Sequence, residues 1–161
     1  MEKVIKQAIL FRQQGQHQIS RDLLASLLDD EAYASKAHLH IAWSFDNEGK
    51  EKLAIEHYQA ALSGRLSLTE RFDVLFGLAS TYRSIGHYDQ ALDYFEQTLS
   101  EYPESKEVQP FYAMCLYNLH RHKEAISILL TLLVSTTSSD SIKEYQRAIL
   151  LYAKDLDRKW L

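Results

Sequence analysis

Cysteine is almost missing from this chain: Cys115 stands alone among 161 residues. A lone thiol excludes an intramolecular disulfide framework and fits a reducing compartment. Long apolar runs are missing too, and nothing approaches the roughly 20 consecutive apolar residues of a membrane-spanning helix. The opening Met-Glu-Lys-Val-Ile-Lys-Gln carries an acid and no continuous apolar stretch, so it reads as neither a signal peptide nor a span. The expected setting is therefore the cytoplasm, without membrane attachment. Basic excess is absent: 18 Lys and Arg are interspersed with 22 Asp and Glu, for a net charge of −4. No stripe is available to neutralise phosphates, which argues against nucleic acid as a partner. There is no Gly-rich phosphate loop, no His-Glu-x-x-His and no Gly-x-Ser-x-Gly elbow. The expectation is a protein without catalytic residues, cofactor or metal.

Small residues, in contrast, are placed with regularity. Ala8 and Ser20, Ala42 and Ala54, Ala79 and Ala91, and Ala113 and Ala125 form four pairs, each twelve residues apart, in a frame of 34 residues. Two helices approach closely only where neither presents a long side chain, so each pair marks the crossing point of a helix hairpin. The frame divides the chain into units 1–34, 35–68, 72–105 and 106–139, with three residues inserted in the loop segment 64–70. Gly15, Gly49 and Gly86 fall at one framed position, seven residues after the first small residue. A glycine just past a helix end adopts a left-handed conformation without steric cost and turns the chain into the next helix. The fourth unit has His120 there, so its turn is either built differently or strained. Phe11, Phe45, Tyr82 and Leu116 recur on the first helices, and Leu24, Tyr58, Phe95 and Leu129 on the second, at positions expected to line the core.

From Leu75 to Pro103 the third unit carries Leu78, Ala79, Tyr82, Gly86, Tyr88, Ala91, Phe95 and the closing Pro. Unit two carries Ala42, Phe45, Gly49, Ala54, Tyr58 and Ala61. This pattern resembles the tetratricopeptide repeat, and the chain is similar to short bacterial members made of little else. Units one and four are degraded, with Leu27 and Leu132 where the family prefers a small residue, as suits terminal units that pack on one neighbour. The resemblance implies an all-α solenoid, a right-handed superhelix of four helix-turn-helix repeats in a single domain over 1–161. It also implies a scaffold for protein–protein interaction.

A further helix is predicted over 141–159. Ser141 with Glu144 forms a capping box, and Ile142, Tyr145, Ile149, Tyr152, Leu156 and Trp160 share a face at three- and four-residue steps. Such a helix caps the bare end of the last hairpin. Leu150 and Leu151 widen its stripe, and with Trp160 and Leu161 they are either part of a broad cap or contacts to a second copy in a homodimer.

In the family the first helix of each unit lines a concave groove. The positions carried over are Arg12 from unit one and Lys36, Leu39, His40, Trp43 and Asn47 from unit two. Phe76 and Arg83 follow from unit three, and Met114, Tyr117 and Asn118 from unit four. Aromatic, Arg and Met side chains of this kind dominate interface hot spots, and the expected ligand is a protein or peptide segment. Trp43 is either a ligand anchor or a filler between neighbouring first helices. Arg12 and Arg83 either meet a carboxylate of a partner or are solvated. The cationic clamp with which one subset of the family holds chaperone C-termini is absent: its positions hold Ile5, Ile9, His40, Asp73 and Gly77, or Leu39, Trp43, Gly77, Glu107 and Phe111. Cys115, His120 and His122 have a spacing that admits a metal but lack a fourth ligand. His38 and His40, two apart on a helix, point to different faces.

Overall fold

A computed structural model describes residues 1–161, and every element in it is helical. The chain divides into two compact units, Met1–Tyr94 and Phe95–Leu161, with the boundary inside a helix. The first unit holds α1 (Glu2–Gln13), α2 (His17–Ala25), α3 (Ala34–Asn47), α4 (Glu51–Leu62) and α5 (Leu68–Ser84), together with the start of α6 (Tyr88–Glu101). The second unit holds the rest of α6, α7 (Val108–Asn118), α8 (His122–Thr136), α9 (Asp140–Glu144) and α10 (Gln146–Ala153).

All eight framed small residues are buried, from Ala8, Ala42, Ala54, Ala79 and Ala91 at 0 % to Ala125 at 4 % exposure. Their short side chains let α1 pack on α2, α3 on α4 and α7 on α8. In the first unit Ile5, Ala8, Leu24, Leu27, Ala37 and Ile41 form one core cluster. Leu39, Ala42, Ala54, Ile55, Tyr58, Ala61, Val74 and Leu78 form the next. Gly77 is what lets Tyr58 into that second cluster, because a Cβ there would lie 2.6 Å from the end of the Tyr58 ring. The α5 start is fixed by a full capping box, in which Ser67 Oγ accepts from the Glu70 N–H and Glu70 Oε2 accepts from the Ser67 N–H.

The four hairpin turns share one geometry. Gly15, Gly49 and Gly86 have φ of 76°, 68° and 81°, and His120 has φ 61°. In each turn the N–H of this residue donates three residues back, to Arg12, Asp46, Arg83 and Tyr117, and the next N–H donates to Phe11, Phe45, Tyr82 and Leu116. These are Schellman closures. His120 therefore sits in the same turn with a side chain that the left-handed region disfavours, at a cost of about 1 kcal/mol. His120→Gly is expected to raise the melting temperature by about 2–4 °C, read by thermal denaturation.

One core position and one helix need correction. Leu129, a core position by its place in the frame, is 43 % exposed, and its α8 neighbours Ile126 and Leu133 are exposed too, at 48 % and 42 %. Only the short α10 packs on α8 from the C-terminal side, and its eight residues leave that face partly bare. The helix predicted over 141–159 is two short helices broken at Tyr145, and it ends at Ala153. Its cap is Ser139, whose hydroxyl accepts from the Ile142 N–H, and not Ser141. At the far end the Asp155 carboxylate accepts from the Asp157 N–H, a local bond that competes with helix continuation. Lys123 pairs with Asp157, and Arg158 stacks 4.1 Å over Trp160.

Candidate functional site

Helices α1, α3 and α5 are the first helices of the first three repeats, and one lysine sets their register. Lys36, in the first turn of α3, reaches Glu2 at the start of α1 (3.2 Å) and Glu70 at the start of α5 (3.6 Å). The three N-terminal ends thus lie side by side, which places the C-terminal ends together as well. Those ends carry Arg12 on α1, Asp46 and Asn47 on α3, and Arg83 on α5.

The Arg12 guanidinium lies 5.2 Å over the Trp43 ring, and His40 meets that ring edge-on at 5.0 Å. Trp43 therefore bridges α1 and α3 while remaining partly accessible. Part of the side chain fills the space between the helices, and the rest is accessible. Burial lowers the Arg12 pKa, with Tyr58 acting weakly in the opposite sense. The Nε atoms of Arg12 and Arg83 are both buried without a hydrogen-bond acceptor. Asn47 is exposed and Phe76 half-buried.

Asp46 belongs to the floor of this face. Its carboxylate accepts from Tyr58 Oη at 2.5 Å and from Thr81 Oγ1 at 3.2 Å, tying α3 to α4 and α5. Burial pushes the Asp46 carboxyl above its usual range, while the bonds from Tyr58 and Thr81 pull it down. Asp73 is also raised, by burial first and then by Glu70.

Two predicted contact residues do not reach a partner. Leu39 is 1 % exposed within the second core cluster, and His40 is 8 % exposed. Both point between helices, Leu39 at the same framed position as the buried Ile5. Burial, together with Arg12 and Lys36, lowers the His40 pKa to about 4, so this ring is neutral at pH 7. Lys36 is bound in its two ion pairs. In the second unit α7 presents Met114 at 44 % and Tyr117 at 62 % exposure, with Phe111 at 38 % and the half-buried Asn118 beside them. Tyr117 packs on His122 at 4.9 Å. Of the C-terminal residues, Leu151, Trp160 and Leu161 are exposed and Leu150 is half-buried.

One polar cluster escaped the sequence reading. Arg21 is 7 % exposed, donates to Ser44 Oγ (2.9 Å), Glu48 Oε2 (2.5 Å) and Gln18 Oε1 (3.0 Å), and lies 4.3 Å over Phe45. The signal was present: at this framed position the other units have Ile55, Leu92 and Ile126. A cation in an apolar slot needs acceptors, and Ser44 of α3, Glu48 just past its end and Gln18 of α2 supply them. Cys115 is buried, His120 and His122 are exposed, and no group of three His, Cys, Asp or Glu side chains is arranged to hold a metal. No helix is long and apolar enough to cross a membrane.

The geometry of paired helices with buried small crossings has counterparts in known proteins. Residues 35–156 match the family model described as Tetratrico peptide repeat. The chain belongs to the tetratricopeptide repeat family. It is 29 % identical over 103 residues to the photosystem I assembly protein Ycf3 of Synechococcus sp. strains CC9605 and CC9902, a match covering 63 % of this chain. That match spans 56 % of those relatives, little more than half their length. Among solved structures, the chain is similar to MamA, with a TM-score of 0.70 at 17 % identity over 99 % of this chain and 78 % of MamA. It is likewise similar to a tetratricopeptide repeat protein from Parabacteroides merdae ATCC 43184, with a TM-score of 0.71 at 20 % identity over 95 % of this chain and 59 % of that one. At such identities the likeness establishes a shared all-α repeat fold.

Proposed function

We propose that this tetratricopeptide repeat protein is a non-enzymatic interaction module that takes an extended or helical segment of another protein on the first-helix face of α1, α3 and α5. One observation carries the reading. The Lys36 bridge aligns the three helices and occupies the charges at their N-terminal ends, while Arg12 and Arg83 stand toward the other ends without an ion-pair partner, beside the partly accessible Trp43 and the exposed Asn47. A preset aromatic and two guanidinium groups give contact area and forked hydrogen bonding at small entropic cost. The Synechococcus relative is named as an assembly protein; the part of that role we infer for this chain is the holding of a protein segment. The lone cysteine fits cytoplasmic placement.

The test is affinity capture from native lysate with quantitative mass spectrometry. Trp43→Ala combined with Arg83→Gln is expected to reduce partner recovery about tenfold or more. Because Trp43 also packs between helices, Asn47→Tyr serves as a second variant that adds bulk at an exposed position without adding charge or touching the core. Unchanged recovery with both variants, at unchanged helicity, rejects this face as the docking surface.

A second reading, self-association, rests on the apolar exposure of Ile126, Leu129, Leu133, Leu151, Tyr152 and Trp160. Light scattering at high concentration decides it. A dimeric mass that Leu133→Glu converts to a monomer supports it, and a strictly monomeric mass removes it.

A further inference from the structure

We infer that the segment held by α1, α3 and α5 is acidic, with carboxylates seated on Arg12 and Arg83. The inference rests on the docking face proposed above and adds the chemistry of its occupant. Lys36, the cation that joins the three helices at their N-terminal ends, already has Glu2 and Glu70 as carboxylate partners. Arg12 and Arg83 have none, and each keeps a buried Nε–H without an acceptor. A partly desolvated guanidinium that lacks an anion has lost hydration without regaining it in hydrogen bonds. A carboxylate arriving at its fork restores both charge and geometry. The cation–π contact with Trp43 restrains the Arg12 guanidinium before any ligand arrives, which limits the entropy lost on pairing.

The acids nearby do not fill that role. Asp46 is committed to Tyr58 and Thr81, and Glu2 and Glu70 to Lys36. Asp73 lies near the start of α5, with Glu70. The face is thus polarised along its helices: Glu2, Lys36, Glu70 and Asp73 stand at the N-terminal ends, and the unpaired Arg12 and Arg83 at the C-terminal ends. Spacing gives a second constraint. Arg12 and Arg83 hold the same framed position on α1 and α5, with α3 packed between them. Two steps of about 8–10 Å separate their helix axes, so the forks are roughly 16–20 Å apart. An extended chain advances about 3.3 Å per residue and covers this span in about five or six residues. The favoured occupant is an extended protein segment with two carboxylates at that separation and apolar side chains between them to cover Trp43. A phosphate backbone is the poorer fit, since it carries a charge at every residue whereas the two guanidinium groups are roughly 16–20 Å apart.

The test uses synthetic peptides in which two glutamates flank a Leu- and Tyr-containing centre, their separation stepped from about three to nine residues. The protein carries Trp160→Phe, so that Trp43 is its only tryptophan. Binding is read by Trp43 fluorescence and by calorimetry at low and high salt. We expect the tightest binding at a separation of about five or six, a loss of about tenfold when both glutamates become glutamine, and a similar loss in Arg12→Gln/Arg83→Gln. High salt is expected to weaken the Glu peptide more than the Gln peptide. Equal binding of Glu, Gln and Lys peptides, equal binding by the double variant, or displacement of the Glu peptide by an oligonucleotide of matched charge overturns the acidic assignment. So does the absence of any response to the Glu peptides. If the captured native partner still depends on Asn47 and Trp43, the docking face itself stands; if it does not, both fall.

Discussion

Ala42→Leu is expected to cost this protein about 3 kcal/mol or more, a fall of roughly 6–12 °C in melting temperature. Ala42 is 0 % exposed on α3, and its framed partner Ala54 is 0 % exposed on α4. Leucine adds three carbons where two backbones are already at closest approach. The hairpin must open, or neighbours such as Tyr58 must leave their rotamers. The loss also propagates, because α3 packs on α2 and α5 as well as on α4. Ala25→Leu is the control: Ala25 is exposed on α2, and its replacement is expected to change stability by less than about 0.5 kcal/mol. Denaturant unfolding of the three proteins checks the difference. Equal stability of Ala42→Leu and the control contradicts the crossing-point account.

Acid is expected to destabilise the folded chain well above the carboxylate range, through two histidines. His40 and His57 are both held at about 4 in the fold, against an ordinary value of 6.5. Burial is the main cause in each. Arg12 and Lys36 add to it for His40, opposed by Glu70 and Glu2, and His38 and Arg21 add to it for His57. His38 and His57 also share a hydrogen bond, Nδ1 to Nδ1 at 2.8 Å, which two protonated rings cannot form. Between pH 6.5 and 4 the unfolded chain binds protons that the folded chain refuses. The stability these rings contribute is therefore complete above about pH 6.5, falls as the pH drops toward 4, and levels off below. At pH 5 the buried His40 alone accounts for a loss of about 2 kcal/mol; His57, less buried and better screened, adds a smaller amount. Asp46 and Asp73, with raised pKa values, act in the opposite sense as the pH falls into the carboxylate range. Urea titrations at pH 7.5 and pH 5 measure it, and His40→Gln is expected to flatten the profile. A flat wild-type profile would contradict the burial of these rings in neutral form.

The repeat was legible because close helix packing leaves a mark in single residues. Ala8 to Ala125 had to be small, and Gly15, Gly49 and Gly86 had to reach positive φ, so residue type and position reported the geometry directly. His120 shows the limit of that logic: the turn is the same, but its residue does not announce it. The end of the chain was less legible because helical spacing in 141–159 says nothing of local competitors, and the Asp155 side chain and the Tyr145 break ended the helix early. Of the residues carried over by position, Arg12, Trp43, Asn47 and Arg83 lie toward the C-terminal ends of neighbouring first helices. Leu39 and His40 were misplaced by the same rule, since a position near the edge of a helical stripe faces either the ligand or the next helix. Arg21 was missed because its acceptors lie 23 and 27 residues away, at Ser44 and Glu48, and are brought to it only by packing.

Site-specific photocrosslinking tests the docking account most directly. A photoreactive side chain at Asn47, on the exposed end of α3, is compared with one at Glu56, exposed on α4, in the native lysate. The account predicts a discrete crosslinked partner from Asn47, lost in Arg12→Gln/Arg83→Gln, and none from Glu56. Crosslinking from Glu56 alone, with Asn47 silent, would place the partner on the second helices and contradict it.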